Sequence, residues 1–244
     1  MGMLGELRSR LALAHRLRDP VAVKHEAQLR WWIERWDAIV RGGGVTPDDT
    51  LGYLDDDDVA PTYLGRRWQI ARAHVRRVLD EAAIEDQSFF DDKVVVDLGC
   101  GPVGFPDACP ARVSLGVDPL IERYAEHGLL LPASRAVYIQ GDAEQIPLLS
   151  GTVDVVVARD VLDYVVDPEQ SAGEIRRVLR PAGTLIVGFD VDQTPTVAQP
   201  QALTVERVRA ALAGMTVTHR REWDAPFATS GHRVVLVAAR DVES

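Results

Sequence analysis

The sequence predicts an α/β architecture: a mostly parallel seven-stranded sheet closed by an antiparallel hairpin, with a helical layer ahead of it. Three observations carry this. From residue 93 onward, short β-branched apolar runs alternate with helix-period segments, the pattern of βαβ units and hence of a parallel sheet. The first run, Val94-Val95-Val96, ends in Asp97 and passes at once into Gly99, Gly101 and Gly104, a strand followed by a sharp glycine turn. The last two strand patterns, about 215–221 and 232–239, have no helix between them and so pair as a hairpin.

Taken in order, residues 4–18 are rich in Leu, Ala and Arg and read as a short helix ending near Asp19-Pro20. Residues 22–40 form a clearer one, with Leu29, Trp32, Ile33, Trp36 and Val40 on one stripe at 3.6 residues per turn. Trp31 points away from that stripe, either packing on the first helix or a second subunit, serving as a stacking platform for an acceptor such as a sugar ring, or simply exposed. Gly42-Gly43-Gly44 stops the helix, and 45–61 reads as a loop. Its run Asp55 to Asp58 reads as solvated charge, since consecutive side chains diverge and make a poor metal cage. Residues 62–83 make another helix, with Leu64, Trp68, Ala71, Val75 and Leu79 as its buried stripe. Residues 1–90 are therefore a helical extension, and 91–244 the α/β domain.

Within that domain the strands read as 93–98, 112–117, 136–140, 153–158 and 184–189, then the hairpin. Helices read over 119–131, over 168–180 and from Thr204. Pro106 and Pro110 interrupt the connector between the first two strands, so the helix expected there is shortened or distorted. No internal repeat is visible.

Composition bounds the function. With 46% hydrophobic and 26% charged residues over 244 positions, this is an ordinary soluble globular chain. A net charge of −10 disfavours a nucleic-acid partner, and residues 1–41, with eight Arg/Lys against five Asp/Glu, lack a dense basic run. No apolar run approaches a membrane span, and the start shows neither a signal h-region nor a myristoylation pattern. Two cysteines, Cys100 and Cys109, cannot make a disulfide framework or a four-ligand zinc site, which suits a reduced, cytoplasmic protein.

The second strand pattern ends in Asp118, 21 residues after Asp97. An acid there, after a glycine-rich first turn, is how a doubly wound sheet holds a ribose diol, so 93–118 reads as a nucleoside-cofactor site. Four motifs narrow the cofactor: V-V-V-D-L-G-C-G-P-V-G-F, S-L-G-V-D-P-L, Y-I-Q-G-D-A-E-Q-I-P-L, and D-V-V-V-A-R-D-V-L-D-Y-V-V-D-P followed by L-R-P-A-G-T-L-I-V-G. In this order they resemble the class I S-adenosylmethionine-dependent methyltransferases, whose Rossmann-like fold the resemblance implies over 93–240. A dinucleotide-dependent dehydrogenase is the rival. It would also want the acid Asp118, but its glycine fingerprint is matched only in the spacing of Gly99, Gly101 and Gly104, and Asp97, Gly141-Asp142-Ala143 and the terminal hairpin favour the methyltransferase.

The resemblance implies that S-adenosylmethionine is held by Asp97, Gly99, Cys100, Gly101, Asp118, Pro119, Asp142, Ala143 and Arg159, with S-adenosylhomocysteine as product. Turn N–H groups around Gly99 and Gly101 suit the methionyl part, Asp118 the ribose, Asp142 the adenine amine and the Ala143 N–H its ring. Methyl transfer is an in-line displacement, so alignment and exclusion of water come first, and a hydroxyl acceptor must also lose its proton to a base or be acidified by a metal. The fourth and fifth strands end in Asp160, Asp163, Tyr164, Asp190 and Asp192. Asp160 with Asp190 or Asp192 forms a candidate Mg²⁺ site; the alternative is that these acids cap helices or pair with Arg159. Asp160 or Asp163 is the candidate base without metal; Tyr164 stands where related enzymes often carry His; His219 and His232, on the hairpin, read as structural. An acid-lined mouth with five tryptophans in the chain suits a sugar or saccharide hydroxyl as acceptor. A quinone or other aromatic metabolite is the second choice, a non-catalytic cofactor-binding module the third. The Trp-rich helices could also serve a homodimer.

Overall fold

The computed structural model describes residues 19–41, 62–102, 104–132, 134–191, 193–224 and 232–242. The expected helix over 4–18, the loop with Asp55 to Asp58 and the Asp192 position lie outside the described residues. Two helices come first, α1 (Pro20–Arg41) and α2 (Tyr63–Glu81). Then follow β1 (Val94–Leu98), α3 (Phe105–Ala108), β2 (Val113–Asp118), α4 (Ile121–Glu126), β3 (Val137–Gln140) and β4 (Val153–Arg159). The chain continues through α5 (Pro168–Val178), β5 (Leu179–Asp190), α6 (Val205–Ala211), β6 (Met215–Asp224) and β7 (His232–Arg240).

The seven strands lie in the order β3-β2-β1-β4-β5-β7-β6. Strands β1 to β5 are parallel, while β7 runs antiparallel between β5 and β6. Period-two alternation explains the burial. Leu185, Val187 and Phe189 of β5 join one apolar cluster beneath α5 and α6, and Ile186 points to the other. In β7, Val234, Leu236 and Ala238 face the first cluster, Val235 and Val237 the second. Both faces of a central strand are thus dry, as a sheet flanked by helices requires.

The second cluster matters for the domain boundary. Val75, Val78 and Leu79 of α2 pack with Val95, Val155, Val157, Ile186 and Val235. Where the sequence suggests a boundary near residue 90, α2 shares one apolar core with the sheet. Ala71, Val75 and Leu79 are buried as the helical stripe predicts, but Leu64, in the first turn, is 42% exposed. In α1, Leu29 is buried and Trp32 and Ile33 pack against a third cluster with Leu120, Ile121 and Tyr124; the side chains of Trp36 and Val40 lie outside the described residues.

Three element boundaries differ from expectation for local reasons. The β1–β2 connector carries only a four-residue helix, in keeping with its prolines. Helix α4 is six residues rather than thirteen, because Gly128 at φ +67° closes it with Leu129 N–H donating to Tyr124 O at 2.8 Å. Strand β5 starts at Leu179, where Val153 pairs with Leu179 and Val155 next pairs with Thr184, so 180–183 bulge out of register. Side-chain oxygens of Thr62, Asp167 and Thr204 cap α2, α5 and α6. No helix among the described residues is long and apolar enough to cross a membrane.

Candidate active site

The strand order reverses between β1 and β4, which leaves a crevice beyond their carboxyl ends. Residues from α1, α2, the β1 turn and the ends of β2, β4, β5 and β7 line a single cavity there, of about 600 Å³. The turn adopts its path because Gly99 and Gly101 take φ of +65° and +54°, which side-chain-bearing residues rarely adopt. Its amides differ from expectation. Gly99 N–H donates to Val117 O at 2.7 Å, and Gly101 N–H to Asp118 Oδ2 at 3.0 Å. These donors tie the turn to β2 instead of lying open for a methionyl carboxylate. Trp32 of α1 covers Gly101 so closely that a Cβ there would lie 2.9 Å from the indole.

Asp118 and Asp97 decide whether a nucleoside cofactor fits. Leu120 N–H donates to Asp118 Oδ1 at 2.8 Å, and the Tyr124 hydroxyl also bonds this carboxylate. With Gly101 that makes three donors against about four acceptor positions, so a ribose diol fits if the Tyr124 hydroxyl gives way. Burial pushes Asp118 up to about 6, although the Leu120 and Gly101 amides pull the other way. Asp97 is 8% exposed, lines the cavity and accepts no hydrogen bond from a described residue. Burial pushes it up to about 8, with Arg159 opposing. A buried carboxylate without a donor calls for a cationic N–H group, which the α-amino group of S-adenosylmethionine supplies. Cys100, Pro119, Gly141, Asp142 and Ala143 line the same half of the cavity. The residues present therefore fit this cofactor.

The other half is a charge cluster. Glu81 of α2 accepts from Arg77 Nε at 2.7 Å and from Arg159 Nε at 3.0 Å. Arg233, the second residue of β7, reaches Asp160 Oδ1 at 2.8 Å and Oδ2 at 3.0 Å, and Asp190 Oδ1 at 3.2 Å. Burial alone would raise Asp160, but Arg233 and then Arg159 hold it down at about 2. Its side chain is 45% accessible, and it lines the cavity. Asp160 also sits at φ +56°, an uncommon backbone position of the kind found at functional sites. Asp160 and Asp190 are thus brought together as expected, but around a guanidinium. A Mg²⁺ ion between them would have to displace Arg233, so the described pair does not fit the metal. Among the described residues no group of three His, Cys, Asp or Glu could hold one.

The remaining expected residues divide. Tyr164 lines the cavity, and its carbonyl accepts from Lys24 Nζ of α1 at 2.8 Å. Arg159 lines the cavity as well, locked to Glu81. Asp163 does not line it. That carboxylate is 2% exposed and accepts from Gln193 Nε2 at 3.2 Å and Gln199 Nε2 at 2.9 Å, fastening the segment after β5. Burial, and then Asp160, raise it to about 6. Sequence reasoning passed over Lys24, His74, Arg77, Gln199 and Arg233, all of which line the cavity. A signal for α2 was there: His74, Arg77 and Glu81 recur at helical spacing beside the apolar stripe, where solvated charge is not expected.

Residues 96–187 match the methyltransferase domain family. A Streptomyces fradiae protein of 37.1 kDa from transposon Tn4556, itself uncharacterized, is 36% identical over 57% of this chain and 39% of its own length. An uncharacterized methyltransferase of Mycobacterium sp. strain JLS is 32% identical over 46% of the chain and 44% of its length. The chain thus spans about two-fifths of these relatives. One from Mycolicibacterium vanbaalenii is 25% identical over 80% of the chain and 70% of its length. In fold, the [4+2]-cyclase SpnF aligns with TM-score 0.60 at 16% identity, over 91% of this chain and 96% of that one. An S-adenosylmethionine-dependent methyltransferase from Mesorhizobium loti aligns at 0.52 and 18% identity, over 70% and 98%.

Proposed function

We propose, taking residues 96–187 as a methyltransferase domain of the S-adenosylmethionine-dependent class, that this protein moves a methyl group to a hydroxyl of a small molecule. A sugar or saccharide hydroxyl is the acceptor we favour. The observation that carries the reading is the single cavity, one half lined by Asp97, Asp118 and Asp142 and the other closed by a polar cluster reached from α2, β4 and β7. When bound, the cofactor supplies the electrophilic methyl group. The chain's own residues then have three tasks. Asp97 meets the amino group and Asp118 the ribose. Helix α1, through Lys24, Gln28, Trp31 and Trp32, covers this half against water and acts as a cap on the site. The aromatic pair Trp31–Trp32, edge to face with centroids 4.7 Å apart, roofs this cofactor half, and the hydrogen-bonding side chains of the other half support a sugar acceptor. Magnesium assistance has no support from the Asp160–Asp190 pair, which Arg233 bridges.

Labelled-methyl transfer into a fractionated small-molecule extract tests the proposal. Label in a neutral, hydroxyl-rich fraction is the expected result; label in an aromatic fraction would move the acceptor to a quinone or related metabolite. Fold alone does not decide between transfer and other chemistry, as the likeness to a [4+2]-cyclase illustrates. Tight binding of S-adenosylmethionine with no label leaving it would remove the transferase reading.

A further inference from the structure

We propose that the end of the cavity bounded by His74, Arg77, Arg159, Asp160 and Arg233 is the acceptor subsite, that it takes an uncharged hydroxyl-bearing molecule, and that His74 receives the proton of the hydroxyl being methylated. The inference rests on the methyl-transfer reading above and names the acceptor end of that site.

Charge accounting argues for an uncharged ligand. Arg77 and Arg159 converge on Glu81, and Arg233 on Asp160 and Asp190, so three guanidiniums already face three carboxylates at bonding distance. An anionic acceptor would have to break one of these pairs and strand a buried carboxylate, which is strongly unfavourable. The polar atoms left without a partner here are different in kind. His74 Nε2 has none among the described residues, although the residue lines the cavity. Arg233 Nε, likewise without a partner among the described residues, is a donor suited to a second oxygen of the same ligand.

The imidazole is held neutral. Burial, then Arg159 and Arg77, push His74 down to about 3, with Asp160 alone opposing. A neutral ring can accept a hydrogen bond at any pH the enzyme meets, and the ligand sets which nitrogen carries its proton. Low basicity does not disqualify it. As the acceptor oxygen bonds to the methyl carbon with one lone pair, the carbon–sulfur pair stays on sulfur. The oxygen becomes a protonated ether, far more acidic than an imidazolium. Its proton then passes to His74, and the O–H pair remains on oxygen. The other acids compete poorly: Asp160 is bound by Arg233 at both oxygens, and Asp163 faces Gln193 and Gln199 outside the cavity.

The test compares His74→Gln and His74→Ala with the wild type, using labelled-methyl S-adenosylmethionine and an extract split by anion exchange into neutral and retained fractions. Melting temperature and affinity for S-adenosylhomocysteine are measured on each protein. The expected result is label in the neutral fraction, a fall of at least ~100-fold in both variants, unchanged product affinity and melting temperature, and recovery of His74→Ala by free imidazole. Transfer at the wild-type rate in either variant overturns the role of His74, as does a fall matched by lost product affinity or one that imidazole does not restore. Label confined to the retained fraction overturns the uncharged acceptor. Wild-type protein that binds the cofactor and labels no fraction overturns the transferase reading, and this inference with it.

Discussion

At the scale of single residues, the Asp97–Asp118 half of the cavity was legible as a cluster and the arginine half was not. Asp97, Asp118 and Ala143 sit in contiguous motifs whose residue types announce their chemistry, whereas Arg77, Arg159 and Arg233 meet only after folding, from positions far apart in sequence. The glycine turn was read correctly as a turn, but its amides face β2, a choice made by hydrogen-bond geometry that composition does not reveal. Asp97 provides a sharp prediction. Because burial holds its proton on up to about pH 8, the amino group of S-adenosylhomocysteine should expel that proton on binding. Affinity should therefore rise between pH 6 and 8, by up to ~10-fold per unit, and calorimetry in two buffers should register proton release. Asp97→Asn should bind weakly at every pH in that range. Replacing Arg233 with Leu removes the guanidinium shared by Asp160 and Asp190, and should lower stability in urea unfolding by less than the ~3–5 kcal/mol of a fully buried pair, because Asp160 is 45% accessible and still faces Arg159. Adding Asp160→Asn should recover part of that loss, since one stranded charge is removed.

At the scale of elements, the proposed cover of the site is α1, which lines the cavity beside the β1 turn. It reaches the body through Leu29, Trp32 and Ile33 and through the bond from Lys24 to the Tyr164 carbonyl. Lys24 is depressed by burial, although Glu144, Asp142 and Asp118 favour its charge, so the ammonium is held in a tight setting. Lys24→Met should loosen the cover and speed dissociation of S-adenosylhomocysteine several-fold by stopped flow, with a smaller effect on melting temperature. An unchanged off-rate would detach α1 from the gating of the site. Helix α2 does different work, since its apolar face lies in the core and its polar face lines the proposed acceptor end of the cavity. Thr62→Ala, which removes the bond to Gly65 N–H, should cost about 1 kcal/mol and leave binding alone. Helix existence and period were readable from the apolar stripes; the early stop of α4 at Gly128 and the bulge before Thr184 depend on local backbone closure, for which the sequence pattern carries little warning.

For the whole molecule, the parallel sheet and the terminal hairpin were readable from alternation and connection length, whereas the order of the strands was not. What alternation does not give is stability against pH. Asp97, Asp118 and Asp163 all have raised carboxyls, so each contributes stability that is complete below the ordinary carboxylate range and is lost as pH rises through about 6 for the latter two and about 8 for Asp97. Asp160, held at about 2, contributes in the opposite sense and is lost only as pH falls through that value. The melting temperature should therefore peak under mildly acidic conditions and decline from pH 6 to 8, a decline that Asp97→Asn should flatten. A slope in the variant equal to that of the wild type would separate Asp97 from the effect. The place of β7 has a consequence in time as well as in space. It follows every other described strand in the chain yet lies between β5 and β6, so the sheet cannot be laid down in the order of synthesis. Until β7 slides in, β5 lacks its outer neighbour and the Asp160–Asp190 pair lacks Arg233. Completion of the sheet and neutralisation of the Asp160–Asp190 pair are then one late, non-local event, and refolding monitored at β7 should lag behind collapse of the β1–β4 core.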